Sequence, residues 1–241
     1  MFSYYGSKSK IVQYYPRPTT LKIREPFCGS ARYSERYWDT PDILLMDKYQ
    51  VIVDVWHYLQ RASQQDILGL PKFKKGECFK DCKQMSEVEI KFYGFISQAG
   101  STGERYTVGT MNGVNTERDL KNIASNLYKI KHWKIVQGDY KDLENENATW
   151  FIDPPYQFGG HEYKESNKNL DFNSLANWCK SRNGQVIVCE NTKATWMDFK
   201  PVIQMQGSMF KTTEAIWTNF KTQYDSIQQD LFGRGEEKIS A

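Results

Sequence analysis

The sequence is poor in several features, and each shortage removes a class of function. It has no apolar run of about 18 residues and its mean hydropathy is −0.68, so no membrane-spanning helix and no membrane partner are expected. Met1-Phe2-Ser3-Tyr4-Tyr5 carries no basic stretch followed by an apolar core, so no secretory leader is expected and the expected location is cytoplasmic. Cysteine is sparse: Cys28, Cys78, Cys82, Cys179 and Cys189 form an odd, scattered set that reads as free thiols. Cys78 and Cys82 have no second C-x-x-C, and His57, His132 and His161 stand apart, so no metal-ligand set is expected. Charge of one sign hardly dominates, because 32 Lys and Arg face 29 Asp and Glu for a net +3. A highly basic nucleic-acid coater is thereby excluded.

What is present suits a folded core. The chain has 241 residues, 39% hydrophobic and 15% aromatic, which is too apolar for disorder and long enough for one or two domains. Short apolar runs alternate with helical spacing. Leu21 to Glu25 reads as a strand, Arg32 to Trp38 as a helix, and Ile43 to Met46 as a buried strand closed by Asp47. Val51, Val55, Tyr58 and Leu59 then follow helical spacing. Strand, helix, strand, helix is the signature of an α/β sheet.

The rhythm breaks over residues 57–131, which read as an insertion. Ser86 to Glu89 has capping-box spacing and opens a helix to about Gln98; Thr116 to Asp119 has the same spacing before a helix to about Lys131. Residues 100–115, rich in Gly, Ser, Thr and Asn, favour loop. The α/β rhythm then returns, with strands expected at 134–137, 149–152, 185–190, 202–205 and 214–220. A helix is expected at 173–182, stopped by Asn183-Gly184, and the tail from Asp225 is polar.

Asp153-Pro154-Pro155-Tyr156 closes the hydrophobic strand 149–152, and open α/β sheets bind ligands at the carboxyl ends of strands. The prolines lack N–H donors and cannot continue a ladder, so the backbone aims carbonyls above the sheet. A carboxylate and a rigid carbonyl accept two hydrogens from an amine, and the Tyr156 ring offers a face for a planar heterocycle. Such hydrogen bonds localise the lone pair of an exocyclic amine and ready it to attack an activated methyl. On the residues alone, a tight turn with a buried aromatic is an equal alternative.

Four segments, in this order, resemble the Dam-type DNA adenine-N6 methyltransferases of the alpha group. They are Tyr4-Tyr5-Gly6-Ser7-Lys8, Glu25-Pro26-Phe27-Cys28-Gly29-Ser30-Ala31, the acid Asp47, and Asp153-Pro154-Pro155-Tyr156. Gly138-Asp139-Tyr140 and Ala215 to Asn219 are also similar, whereas residues 56–131 are unmatched. The resemblance implies a Rossmann-like S-adenosylmethionine-dependent methyltransferase fold over 1–56 and 132–224. A small, mainly helical target-recognition insertion would occupy 57–131, and 225–241 would be a C-terminal tail. It further implies that Tyr4, Gly6 and Lys8 touch the cofactor, that Glu25, Pro26, Phe27, Gly29 and Ser30 hold its methionine end, and that Asp139 and Tyr140 flank its adenine. Asp47 would bind the ribose hydroxyls, which is also the physical expectation for an acid closing the second strand. Asp153 would face both the cofactor and the target amine. The turn lacks G-x-G-x-x-G, which suits a cofactor without a pyrophosphate.

The resemblance implies double-stranded DNA as partner, a monomer or weak dimer on it, and a bacterial, phage or mobile-element setting. Local charge agrees: residues 1–36 carry seven cations and two acids, a surplus of +5. Lys72, Lys74 and Lys75, interleaved with Phe73 and Phe79, form a basic stretch suited to phosphate contact. An ordinary solvated loop is the alternative. Arg105, Tyr106 and Asn112 are the candidates for base reading. An adenine in duplex must swing out to be methylated, and Gln157 to Lys164, with its glycines, is the expected lid. Cytosine-N4 methylation and a non-catalytic DNA-binding relative are the other readings.

Overall fold

The computed structural model describes residues 1–222 apart from 3, 5, 99–102, 104, 112–113, 160–164 and 207–210. Seven strands form one sheet: β1 (Lys22–Glu25), β2 (Asp42–Asp47), β3 (Lys134–Gln137), β4 (Ala148–Ile152), β5 (Gly184–Asn191), β6 (Lys200–Gln206) and β7 (Lys211–Thr218). Their order is β3-β2-β1-β4-β5-β7-β6. The first five run parallel, and β7 is antiparallel to both β5 and β6. This is a mostly parallel, Rossmann-like α/β sheet, as the sequence pattern predicts. Strand order reverses between β1 and β4, so the chain leaves the sheet in opposite directions there and opens a crevice above their carboxyl ends.

The residue types explain the elements. Every residue of β4 is buried, as a continuous apolar run between two sheet neighbours requires. Helix α1 (Arg32–Arg36) follows β1, and α2 (Gln50–Arg61) follows β2 with Ile52, Val53, Val55, Trp56 and Leu59 on its inner face. Helices α3 (Gln64–Leu68), α4 (Glu87–Ile96) and α5 (Thr116–Asn126) build the middle region, and α6 (Phe172–Lys180) precedes β5. The aromatic rings of Phe2 and Trp56 lie 5.1 Å apart, and those of Phe2 and Phe95 5.4 Å apart. The middle helices thus share one hydrophobic core with β1 and β2.

Four local expectations need correction. The α5 cap is Asn115, whose side chain accepts from Arg118 N at 2.9 Å, one residue before the expected Thr116. α5 also ends at Asn126 and passes into a single 3₁₀ turn over Leu127–Ile130. Gly184 does not stop α6, which ends at Lys180; it opens β5 with φ +92, where an added Cβ would lie 2.3 Å from the Ala148 carbonyl oxygen. In the expected loop, Cys78 bridges Thr107 and Phe79 N donates to Tyr106 O at 2.9 Å, forming a short antiparallel ribbon. The polar tail lies outside the described residues.

Candidate active site

The cleft above the sheet is built from strand ends. Glu25 closes β1, is 3% exposed, and its Oε1 accepts from Ser34 N at 2.6 Å. Burial outweighs that hydrogen bond and pushes its carboxyl up to about 8. The chain then turns tightly at Gly29, whose φ is +44, and an added Cβ would lie 3.0 Å from the Tyr4 ring. Glycine is needed there both for conformation and for close approach. Asp47 closes β2 and receives Gly29 N on one carboxylate oxygen and Tyr49 N on the other, each at 2.9 Å. Oδ2 also accepts from Cys28 Sγ at 3.9 Å, so Oδ1 is the oxygen that keeps a lone pair for a ligand hydroxyl. Burial pushes the Asp47 carboxyl up to about 6.

After β3, Asp139 N donates to Asp142 Oδ2 at 2.9 Å, which fixes a turn that brings the Tyr140 ring to 5.5 Å from Phe27. Lys48 lies 3.6 Å from Asp139 and 3.8 Å from Glu165, joining three segments at the rim. The cleft, about 1160 Å³ including solvent at its mouth, is lined by all the expected cofactor residues: Tyr4, Gly6, Lys8, Glu25, Pro26, Phe27, Gly29, Ser30, Asp47, Asp139, Tyr140 and Asp153.

Of the expected catalytic set, Asp153 and Pro155 line the same cleft, whereas Pro154 is buried and the Tyr156 hydroxyl is held between Lys8 and Glu214 behind Asp153. Asp153 Oδ1 lies 3.0 Å from Lys8 Nζ, and Lys8 Nζ donates to the Tyr156 hydroxyl at 2.7 Å. Burial raises the Asp153 carboxyl to about 6, with Lys8 opposing the shift and Glu214 adding to it.

The expected DNA-contact residues come together in part. Lys72, Lys74, Lys75 and Arg105 are exposed, and the ribbon sets Tyr106 beside the basic stretch, with Lys80 Nζ 5.6 Å from its ring centroid. Phe73 and Phe79 do not serve as stacking platforms: Phe79 is 1% exposed, and both rings pack on Tyr93. Asn112 and most of the expected lid, 160–164, lie outside the described residues.

Sequence reasoning missed the acids on later strands. Glu190 on β5 is fully buried and receives Gln157 N at 2.6 Å and Trp196 Nε1 at 3.1 Å, which pins the chain just after Tyr156. Glu214 on β7 receives the hydroxyls of Tyr156 and Tyr15. Their signal was a carboxylate adjoining an apolar strand run: Val186 to Cys189 before Glu190, and Ala215 to Trp217 after Glu214.

No protein-family model matches the chain, and no curated protein matches it in sequence. Among solved structures it is similar to the rRNA methyltransferase aviRa from Streptomyces viridochromogenes, with a TM-score of 0.39 and 8% identity over 82% of this chain and 76% of that one. A candidate methylase from Haemophilus influenzae gives a TM-score of 0.37 and 8% identity over 83% and 87% of the two chains. A candidate methyltransferase solved with SAH gives a TM-score of 0.34 and 11% identity, covering 84% of this chain and 49% of that one.

Proposed function

We propose that this chain is a site-specific DNA methyltransferase that transfers a methyl group from S-adenosylmethionine to the N6 amine of a flipped adenine. The observation that carries the reading is the placement of Asp153. It ends β4 beside the strand-order reversal, and its carboxylate lines the same cleft as Glu25, Gly29 and Asp47. The methyl donor and the acceptor amine can therefore meet at one side chain.

The residues present fit that cofactor. With Glu25 protonated, five carboxylates line the cleft (Asp47, Asp139, Asp153, Glu165 and Asp171) against four cations (Lys8, Arg32, Lys48 and Lys141), a formal surplus of one negative charge. S-adenosylmethionine carries one net positive charge and no phosphate, so this balance favours it over a dinucleotide. Asp47 offers the free lone pair of Oδ1 to a ribose hydroxyl, Phe27 and Tyr140 offer apolar faces to the adenine, and the turn at Gly29 lets the backbone approach the methionine end.

When bound, the cofactor would supply an electrophilic methyl on a sulfonium, with the electron pair of the broken S–C bond going to sulfur to give a neutral thioether. Asp153 and the Pro154 carbonyl accept the two amine hydrogens and hold the lone pair toward the methyl. As the N–C bond forms, one N–H proton must leave, and Asp153 is the carboxylate in place to accept it. Lys8 keeps Asp153 oriented through the 3.0 Å ion pair. The Tyr156 ring supplies a stacking face, and exposed Lys72, Lys74 and Lys75 meet DNA phosphates, with Arg105 and Tyr106 beside them to read bases. Residues 57–131 are the target-recognition insertion in this reading.

The test is incubation with labelled S-adenosylmethionine and unmethylated duplex DNA, followed by digestion and identification of the modified nucleoside. N6-methyladenine formed by the wild type and abolished in Asp153→Ala is the expected result. N4-methylcytosine instead, or label incorporation unaffected by Asp153→Ala, overturns it.

A further inference from the structure

Behind Asp153 the structure buries a second carboxylate that the reaction above leaves unused. Glu214 lies on β7 and is 3% exposed. Its Oε1 accepts from the Tyr156 hydroxyl at 2.6 Å and from the Tyr15 hydroxyl at 2.7 Å, and stands 3.7 Å from Lys8 Nζ. Lys8, itself 6% exposed, lies 3.0 Å from Asp153 Oδ1 and 4.5 Å from the centroid of the Tyr156 ring. A carboxylate in the middle of a sheet carries a heavy desolvation cost, which an apolar residue of similar size would avoid. The hydroxyls and the ammonium it holds give it a role beyond packing.

We propose that Glu214 is a positioning residue of the methyl-transfer site, anchoring the Tyr156 hydroxyl and sharing Lys8 with Asp153 so that the carboxylate and the ring meet the acceptor amine in a fixed orientation. The inference rests on the methyltransferase reading. With its hydroxyl held by Lys8 and Glu214, the Tyr156 ring cannot swing away from the strand end. The two carboxylates Asp153 and Glu214 around one ammonium leave one net negative charge at the site, where the positive charge arrives as the methyl passes from sulfur to nitrogen. The groups facing Asp153 come from every surrounding segment. Lys8 stands before β1, Glu25 ends β1, Cys189 and Glu190 lie on β5, and Glu214 lies on β7, with the Tyr15 and Tyr156 hydroxyls between them. Only Lys8 among them is cationic.

Glu214→Gln keeps a carbonyl for the two tyrosine hydroxyls and removes the charge, whereas Glu214→Ala removes both. Cofactor affinity is measured by calorimetry, and single-turnover methylation of unmethylated duplex is followed across pH. In Glu214→Gln, affinity should stay within about twofold, the rate should fall by about tenfold, and the acid limb of the rate profile should move to lower pH. Tyr156→Phe should also slow transfer, and adding it to Glu214→Ala should cost little more, because both act through one hydrogen bond. An unchanged rate and acid limb in Glu214→Gln, a rate loss matched by weaker cofactor affinity, or full additivity of the double variant overturns the role. Should a Glu214 variant fail to fold by circular dichroism, Tyr156→Phe carries the test: an unaltered single-turnover rate then overturns it. An inactive wild type overturns the methyltransferase reading itself, whereas an active wild type indifferent to these changes overturns only the positioning role.

Discussion

In the proposed reaction Asp153 can take up the amine proton only as a carboxylate, and burial pushes it up to about 6. Methyl transfer should therefore fall about tenfold per pH unit below that value, with a single acid limb in the rate profile. Lys8 opposes the upward shift, so Lys8→Met should move the limb to higher pH, and a limb that stays in place would remove Lys8 from the ionisation of Asp153. Glu25 makes the opposite kind of demand on stability. Its folded value of about 8 stands above the ordinary 4.5, so the folded chain holds this proton more tightly than the unfolded chain does. The resulting stabilisation is complete below about 4.5 and is lost as pH rises through about 8. Denaturant titrations at pH 5 and pH 8 should show a larger drop for the wild type than for Glu25→Gln, and equal drops would contradict a buried, protonated Glu25.

The elements were legible wherever the residue pattern stood alone. β4 and β5 read directly from Thr149 to Ile152 and Gln185 to Glu190, because strands buried on both faces leave largely apolar runs. The lining of the cleft was partly legible, because Glu25, Asp47, Asp139 and Asp153 all stand at or just beyond strand ends. What the sequence hid depends on partners far along the chain. Glu214 matters through Tyr156, 58 residues away, and through Tyr15, 199 residues away. The ribbon at Cys78 and Thr107 forms from residues with no alternating pattern, held mostly by backbone hydrogen bonds. Gly184 looked like a helix stop because its neighbour Asn183 also favours turns; its cause is instead the neighbouring strand. Gly184→Ala should lower unfolding stability by about 2–4 kcal/mol, since positive φ and an overlap with Ala148 add together. Asn115→Ala should cost about 1 kcal/mol, with Thr116→Ala near neutral, and the reverse ranking would return the α5 cap to Thr116.

At the scale of the molecule, the net charge of +3 understates the contrast between its parts. The cleft carries a formal surplus of carboxylates, while Lys74, Lys75 and Lys80 stand exposed on and beside the ribbon. A paired Lys74→Gln, Lys75→Gln variant should bind duplex more weakly and flatten the dependence of log K on log salt by about 0.9 for each phosphate no longer neutralised. Its cofactor affinity should be unchanged; a fall in cofactor affinity would mean that the ribbon supports the cleft. The buried carboxylates have one more consequence. Glu25 holds a proton at neutral pH, and Asp47 and Asp153 hold theirs in part near pH 6. A ligand bearing positive charge favours their ionised forms, so its arrival should expel protons into the solvent. Titrations in buffers of different ionisation enthalpy should reveal that release, and the cleft would then act as a proton exchanger whose hold on its cation tightens as the medium becomes more alkaline.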